Sequence, residues 1–96
     1  MDKIRTIAAN HTFGQQRAVF VEKCAEAIQA VCKLERAADQ SAEKYAETMT
    51  TLTSEVADVL IMAEQMRFFL GAEKVDEEIR KKVESQFHKI RGDEDE

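Results

Sequence analysis

The chain has 96 residues, with 14 Lys and Arg against 19 Asp and Glu, a formal charge of −5. It is too short for two ordinary domains or an αβα nucleotide fold, and at 44% hydrophobic residues too apolar for a disordered acidic segment. Its acidic balance argues against nucleic-acid backbone binding, which needs a concentrated basic surface. The absence of Pro and the presence of only three Gly favour long helices over a turn-rich β fold. One all-α domain remains, a small bundle of about four helices over residues 1–92, with an acidic tail over 93–96. A protomer of 10.9 kDa has a thin core, so completion by oligomerisation is expected.

A short first helix is predicted from Asp2 to about Asn10, with Ile4, Ile7 and Ala8 on one face. No apolar stretch of signal-peptide length follows the N-terminus, and a soluble cytoplasmic protein is expected. The segment Asn10-His11-Thr12-Phe13-Gly14 interrupts the helical pattern. A longer helix is predicted from about Gln15 to Ala37, with Phe20, Cys24, Ile28 and Val31 as its apolar stripe and Ala27 and Leu34 beside it. Cys24 and Cys32 on one helix lie about 12 Å apart along the axis. That exceeds the ~7 Å limit for a disulfide, so they read as small packing residues.

The stretch Ala38 to Ser54 is polar and is expected to be partly a mobile connection, with Thr50, Thr53 or Ser54 capping the next helix. That third helix runs to Phe69 or Leu70, and Gly71 offers a stop. A fourth helix is predicted from about Glu73 to Ile90. Val75, Ile79, Val83, Phe87 and Ile90 recur on it at spacings of three and four, and Gly92 ends it. The strongest apolar run, Val56 to Ala63, is too short to span a bilayer, so no membrane partner is expected.

The third helix carries the chemistry. Val56, Ala57, Val59, Leu60, Ile61, Met62, Met66, Phe68 and Phe69 surround it on nearly all sides, which is normally the mark of a buried helix. Glu55 and Asp58 nonetheless share one side of it. A buried carboxylate is costly without a counter-charge or hydrogen bonds, and two adjacent acids repel. A divalent cation with a preference for oxygen, Mg2+ or Mn2+, answers both problems. The alternative is that both are first-turn acids beside a cap at Thr53 or Ser54, stabilising without any metal. On the second helix Glu22 and Glu26 are one turn apart. Projection puts Glu22 near the middle of the solvent face and Glu26 nearer the boundary. Lys23 lies between Glu26 and the apolar face, where an inward-looking polar group sits.

Taken in order, Phe13-Gly14-Gln15-Gln16, Glu22-Lys23-Cys24-Ala25-Glu26-Ala27-Ile28-Gln29-Ala30, Lys33-Leu34-Glu35-Arg36 and Glu55-Val56-Ala57-Asp58-Val59-Leu60-Ile61-Met62 resemble the all-α nucleoside triphosphate pyrophosphohydrolases, the MazG-like group. The resemblance covers about Phe13 to Arg91. It implies hydrolysis of an NTP or dNTP to the monophosphate and pyrophosphate, with Mg2+ (or Mn2+) held by four carboxylates from an ExxE and an ExxD motif. Glu55 and Asp58 match ExxD, and Glu26 matches the second Glu of ExxE. Lys23 stands where the first Glu is expected. By the same resemblance Glu26, with Glu22, would serve catalysis, Lys81 and Lys82 would meet the phosphates, and Phe13 and Gln16 would reach the base. A homodimer or homotetramer is implied as well. Because Lys23 removes an expected ligand, the competing expectation is a catalytically weak or inactive helical oligomer that binds a nucleotide or a protein partner. A transcription-linked role lacks a recognition helix with convincing base-reading residues. His11 and His88 are isolated and read as surface or junction residues.

Overall fold

The computed structural model describes residues 2–92, so the acidic tail expected over 93–96 lies outside the described residues. Four helices follow one another, α1 (Asp2–Ala9), α2 (Phe13–Ala37), α3 (Ala42–Leu70) and α4 (Ala72–Arg91), giving the small all-α bundle that the composition favours. Local chemistry sets the joints. The Asn10 side chain donates to the Thr6 carbonyl at 2.9 Å and closes the end of α1. Thr12 and Gln15 then form a reciprocal capping box, so α2 starts at Phe13, two residues earlier than its apolar pattern suggests.

The region 38–54 departs from expectation. It is not a mobile connection capped near Thr53. Only a short turn separates α2 from α3, Ser41 caps α3 by accepting from the Lys44 backbone N–H at 3.0 Å, and the helix runs unbroken through all four Thr of the region. The threonines fit because each hydroxyl donates back to the carbonyl four residues earlier: Thr48 to Lys44 at 2.8 Å, Thr50 to Ala46 at 3.2 Å, Thr51 to Glu47 at 3.4 Å and Thr53 to Met49 at 2.9 Å. Glu55 and Asp58 therefore sit in the middle of α3, and the reading of them as first-turn acids is withdrawn.

α2 and α3 form an antiparallel hairpin, the main packing of the chain. Its register shows in the pairs that meet across it. Gln16 faces Gln65, Lys23 faces Asp58, and α3 retreats by the same number of residues as α2 advances. Gln16, Lys23, Ala30 and Ala37 recur every seven residues and mark the inner line of α2. Of these, Gln16, Ala30 and Ala37 are buried. Ile28 and Val31, expected in the apolar stripe, are exposed instead. Phe20, Cys24, Ala27 and Leu34 of the expected face are half-buried, so hydrophobic periodicity finds the packed side only in part and misses the alanines and polar side chains at its centre.

α1 packs across α3, where Ala8 is fully buried. At that end Phe13 and Phe69 approach to 5.5 Å between ring centroids, Phe68 meets Phe69 edge-on at the same distance, and Arg17 lies 4.7 Å over the Phe13 ring. Gly71 turns the chain with φ of 107°, a conformation that favours glycine. Beyond it, Arg67 forks between Glu64 (2.9 Å) and Asp76 (2.9 Å) and ties the start of α4 to α3. Within the described residues, no helix is long and apolar enough to cross a membrane.

Candidate functional site

The hairpin register brings residues from two helices to one place. Glu26 of α2 and Glu55 and Asp58 of α3 each offer a carboxylate oxygen within 4.8 Å of the others. All three residues are half-buried. Glu55 Oε1 is buried and has no hydrogen-bond partner among the described residues. Such an oxygen has given up water and received nothing in return, which is costly.

Lys23 enters the same cluster. Its Nζ lies 3.6 Å from Glu26 Oε1 and 3.9 Å from Asp58 Oδ2. The Glu26 carboxylate, then Asp58 and more weakly Glu22, raise the Lys23 pKa above its ordinary value, while partial burial opposes them. The ammonium thus stands as a resident cation between two of the three acids. Its distances are those of loose ion pairs, and its side chain remains 31% exposed, so a competing cation can displace it. One ammonium set against three carboxylates leaves a formal charge of −2, the complement of a divalent ion.

The oxygen-only donor set and the orphaned Glu55 oxygen fit a hard divalent cation. Oxygens that share a Mg2+ ion lie about 3.0 Å apart when adjacent and about 4.2 Å when opposite, so the three carboxylates must draw together to share one ion. Lys23 occupies the position from which a fourth carboxylate would complete it.

The other residues singled out from the sequence are spread more widely. Glu22 is exposed on α2, one turn before Glu26. Gln16 is 5% exposed, and its amide donates to Gln65 Oε1 within the core. Phe13 is half-buried against Phe69. Lys81 and Lys82 are exposed on α4, and Lys81 pairs with Glu78 at 3.8 Å on its own helix.

Residues outside that set line the next layer of the same seam. A cleft of about 410 Å³ opens towards the hairpin turn, bounded by Lys33, Arg36, Gln40, Lys44, Glu47 and Thr51 over a floor of small residues. Lys44 is partly neutralised by Glu47 at 3.4 Å. Lys33 follows Glu26 by seven residues, two helical turns and about 10 Å along the axis. The helical spacings from Glu26 to Lys33 and from Thr51 to Glu55 place the acidic cluster and the cation-lined cleft on the same flank of the seam. The spacing from Glu26 to Lys33 is the signal in the sequence that could have found this cleft. It stayed hidden while the register of α2 on α3 was unknown.

Compared with known proteins, the chain matches no family model, no curated protein and no solved structure. The likeness to the MazG-like group therefore rests on its short motifs alone. What stands without it is a clustered acidic triad in an all-α bundle, suited to a metal- or nucleotide-binding role.

Proposed function

We propose that the α2–α3 seam binds a divalent cation together with the phosphate groups of a nucleotide, and that its hydrolytic power is weak or absent. One observation carries this reading. The Lys23 ammonium lies between Glu26 and Asp58, in the same cluster as a Glu55 oxygen that has no hydrogen-bond partner among the described residues. Three carboxylates give a divalent ion purchase, but the fourth position holds a positive charge that competes with it. Lys33, Arg36 and Lys44 in the adjoining cleft provide complementary charge for phosphates, and its volume lies within the range of small-molecule pockets. The two free cysteines suit a reducing, cytoplasmic setting.

The ordered acidic pairs favour a second reading, hydrolysis of an NTP or dNTP to the monophosphate and pyrophosphate. A bound metal would neutralise phosphate charge and lower the pKa of a coordinated water. In this reading Glu26, Glu55 and Asp58 hold the ion, and Glu22, exposed one turn away, orients the water.

One pair of measurements separates the two readings. Titration with Mn2+ and a nucleotide should show binding that is lost in Glu55→Gln. Pyrophosphate release from a panel of NTPs and dNTPs should be negligible or slow with the natural chain. Fast turnover would establish the second reading, and no metal-dependent binding of any nucleotide would sink both.

A further inference from the structure

α4 is the least finished part of the protomer. Ile79, Val83, Phe87 and Ile90 are 50, 58, 51 and 84% exposed, although they share one side of the helix. Val75 extends the stripe towards the Arg67 anchor, making a seam about 22 Å long from Val75 to Ile90. The packing of α4 within the chain is against α3. The radius of gyration is 17.2 Å, where a compact chain of this length has about 12.5 Å. The accessible surface is 7286 Å², against about 5,600 Å² for a compact monomer of this mass. The surplus, roughly 1,700 Å², is more than the ~800 Å² that each partner buries in a standard interface.

Charge selects the partner. Among the charged residues beside the apolar stripe, Glu73, Glu77, Glu78 and Arg80 lie in the first half of α4, and Lys82, Glu84, Lys89 and Arg91 in the second. A copy of the same helix running the opposite way about Val83 sets Glu73 of each near Arg91 of the other, Glu78 near Lys89, and Arg80 near Glu84. A parallel copy sets like against like. Antiparallel pairing also brings the two apolar stripes together without any change of sequence, as a self-complementary two-fold contact requires.

We propose that α4 is a dimerisation helix, pairing antiparallel with α4 of a second copy about a two-fold axis near Val83. The contact buries the Val75–Ile90 stripe and accounts for much of the surplus surface. It involves none of the cation-cluster residues, so it stands or falls independently of the function proposed above.

Sedimentation equilibrium of the full chain at micromolar concentration should give the mass of a dimer. Ile79→Glu with Val83→Glu should give a monomer while the α2–α3 hairpin keeps its helical circular dichroism. Orientation is read by cross-linking in a Cys24→Ser, Cys32→Ser background. A disulfide needs Cα atoms within about 7 Å, so Val83→Cys should oxidise to a covalent dimer. Val75→Cys should not link to itself, but should link to Ile90→Cys when the two variants are mixed. A monomeric natural chain, a dimer that survives the double Glu substitution, or efficient self-linking of Val75→Cys without linking of Val83→Cys would each overturn the proposal.

Discussion

The hairpin seam and the fourth helix invert the usual arrangement. Along the seam, where two long helices press together, the chain places Gln16, Lys23, Glu26, Glu55, Asp58 and Gln65 between alanines and methionines. Along α4, where little covers the helix, it places Ile79, Val83, Phe87 and Ile90. Polarity in a packed seam costs stability unless every group finds a partner, whereas an apolar stripe left in water adds nothing to stability until something covers it. On the two proposals above, the seam is shaped by the ion it would hold and α4 by the second copy it would meet.

The sharpest way to test that contrast is to shorten one side chain in each region. Met66 is buried under the seam, and Met66→Ala should cost about 2–5 kcal/mol in chemical denaturation at any protein concentration. Val83→Ala should instead shift the denaturation midpoint in a concentration-dependent way, because its burial requires a second copy. If the Val83 effect ignores concentration, α4 is buried within its own chain and the contrast fails.

Next in size is the buried amide pair. Gln16→Leu leaves Gln65 unsatisfied and should cost about 1–3 kcal/mol. Gln16→Leu with Gln65→Leu removes both partners and should recover most of that loss. A double-mutant cycle on urea unfolding measures the coupling.

Lys23 gives a change of opposite sign. Lys23→Glu replaces the resident ammonium with a fourth carboxylate and should raise Mn2+ affinity by roughly tenfold or more, read by calorimetry. Unchanged affinity would mean that the ammonium does not stand in the way. Lys33→Glu with Arg36→Glu should leave the affinity for metal alone nearly intact and weaken triphosphate binding several-fold, more at low salt than at high salt.

The smallest expected effect is one of pH. The hydrogen-bonded Arg67 guanidinium holds Glu64 below its ordinary value of 4.5, and its charge acts in the same direction. A lowered folded-state pKa makes the unfolded chain the stronger proton binder. The stabilisation is therefore whole above pH 4.5 and drains away as the pH falls through the lowered value. Glu64→Gln should flatten that part of the stability profile. For Lys23 the sign reverses: its raised pKa gives a contribution whole below 10.5 and lost as the pH rises through the higher folded-state value.

Much of this architecture was readable beforehand, for identifiable reasons. The absence of Pro, the glycines at 71 and 92 and the period of α4 announced helices and their ends. Helix projection was enough to separate Glu26 from Glu22 and to turn Lys23 inward, because the angular position of a side chain depends only on its place in the helix. The start of α3 was not readable. The four threonines of the stretch have poor helix propensity, and the tertiary contacts that hold it come from residues far away in sequence. Ile28 and Val31 misled for a related reason: the fully buried positions of α2 are Gln16, Ala30 and Ala37, which carry little hydrophobic signal, while Phe20, Cys24 and Leu34 are only half-buried beside them. The cation-lined cleft required the register of α2 on α3, which no local pattern encodes.

The joint at Gly71 makes α4 a lever. A single residue in a conformation that favours glycine, braced by one arginine fork, sets the direction of a helix roughly 30 Å long. A change of about ten degrees at that joint carries the far end through roughly 5 Å, about one helical pitch. Substitutions at Gly71 or Arg67 therefore act far from where they are made, redirecting the free end of α4, and with it the proposed dimer contact, while the seam stays as it is.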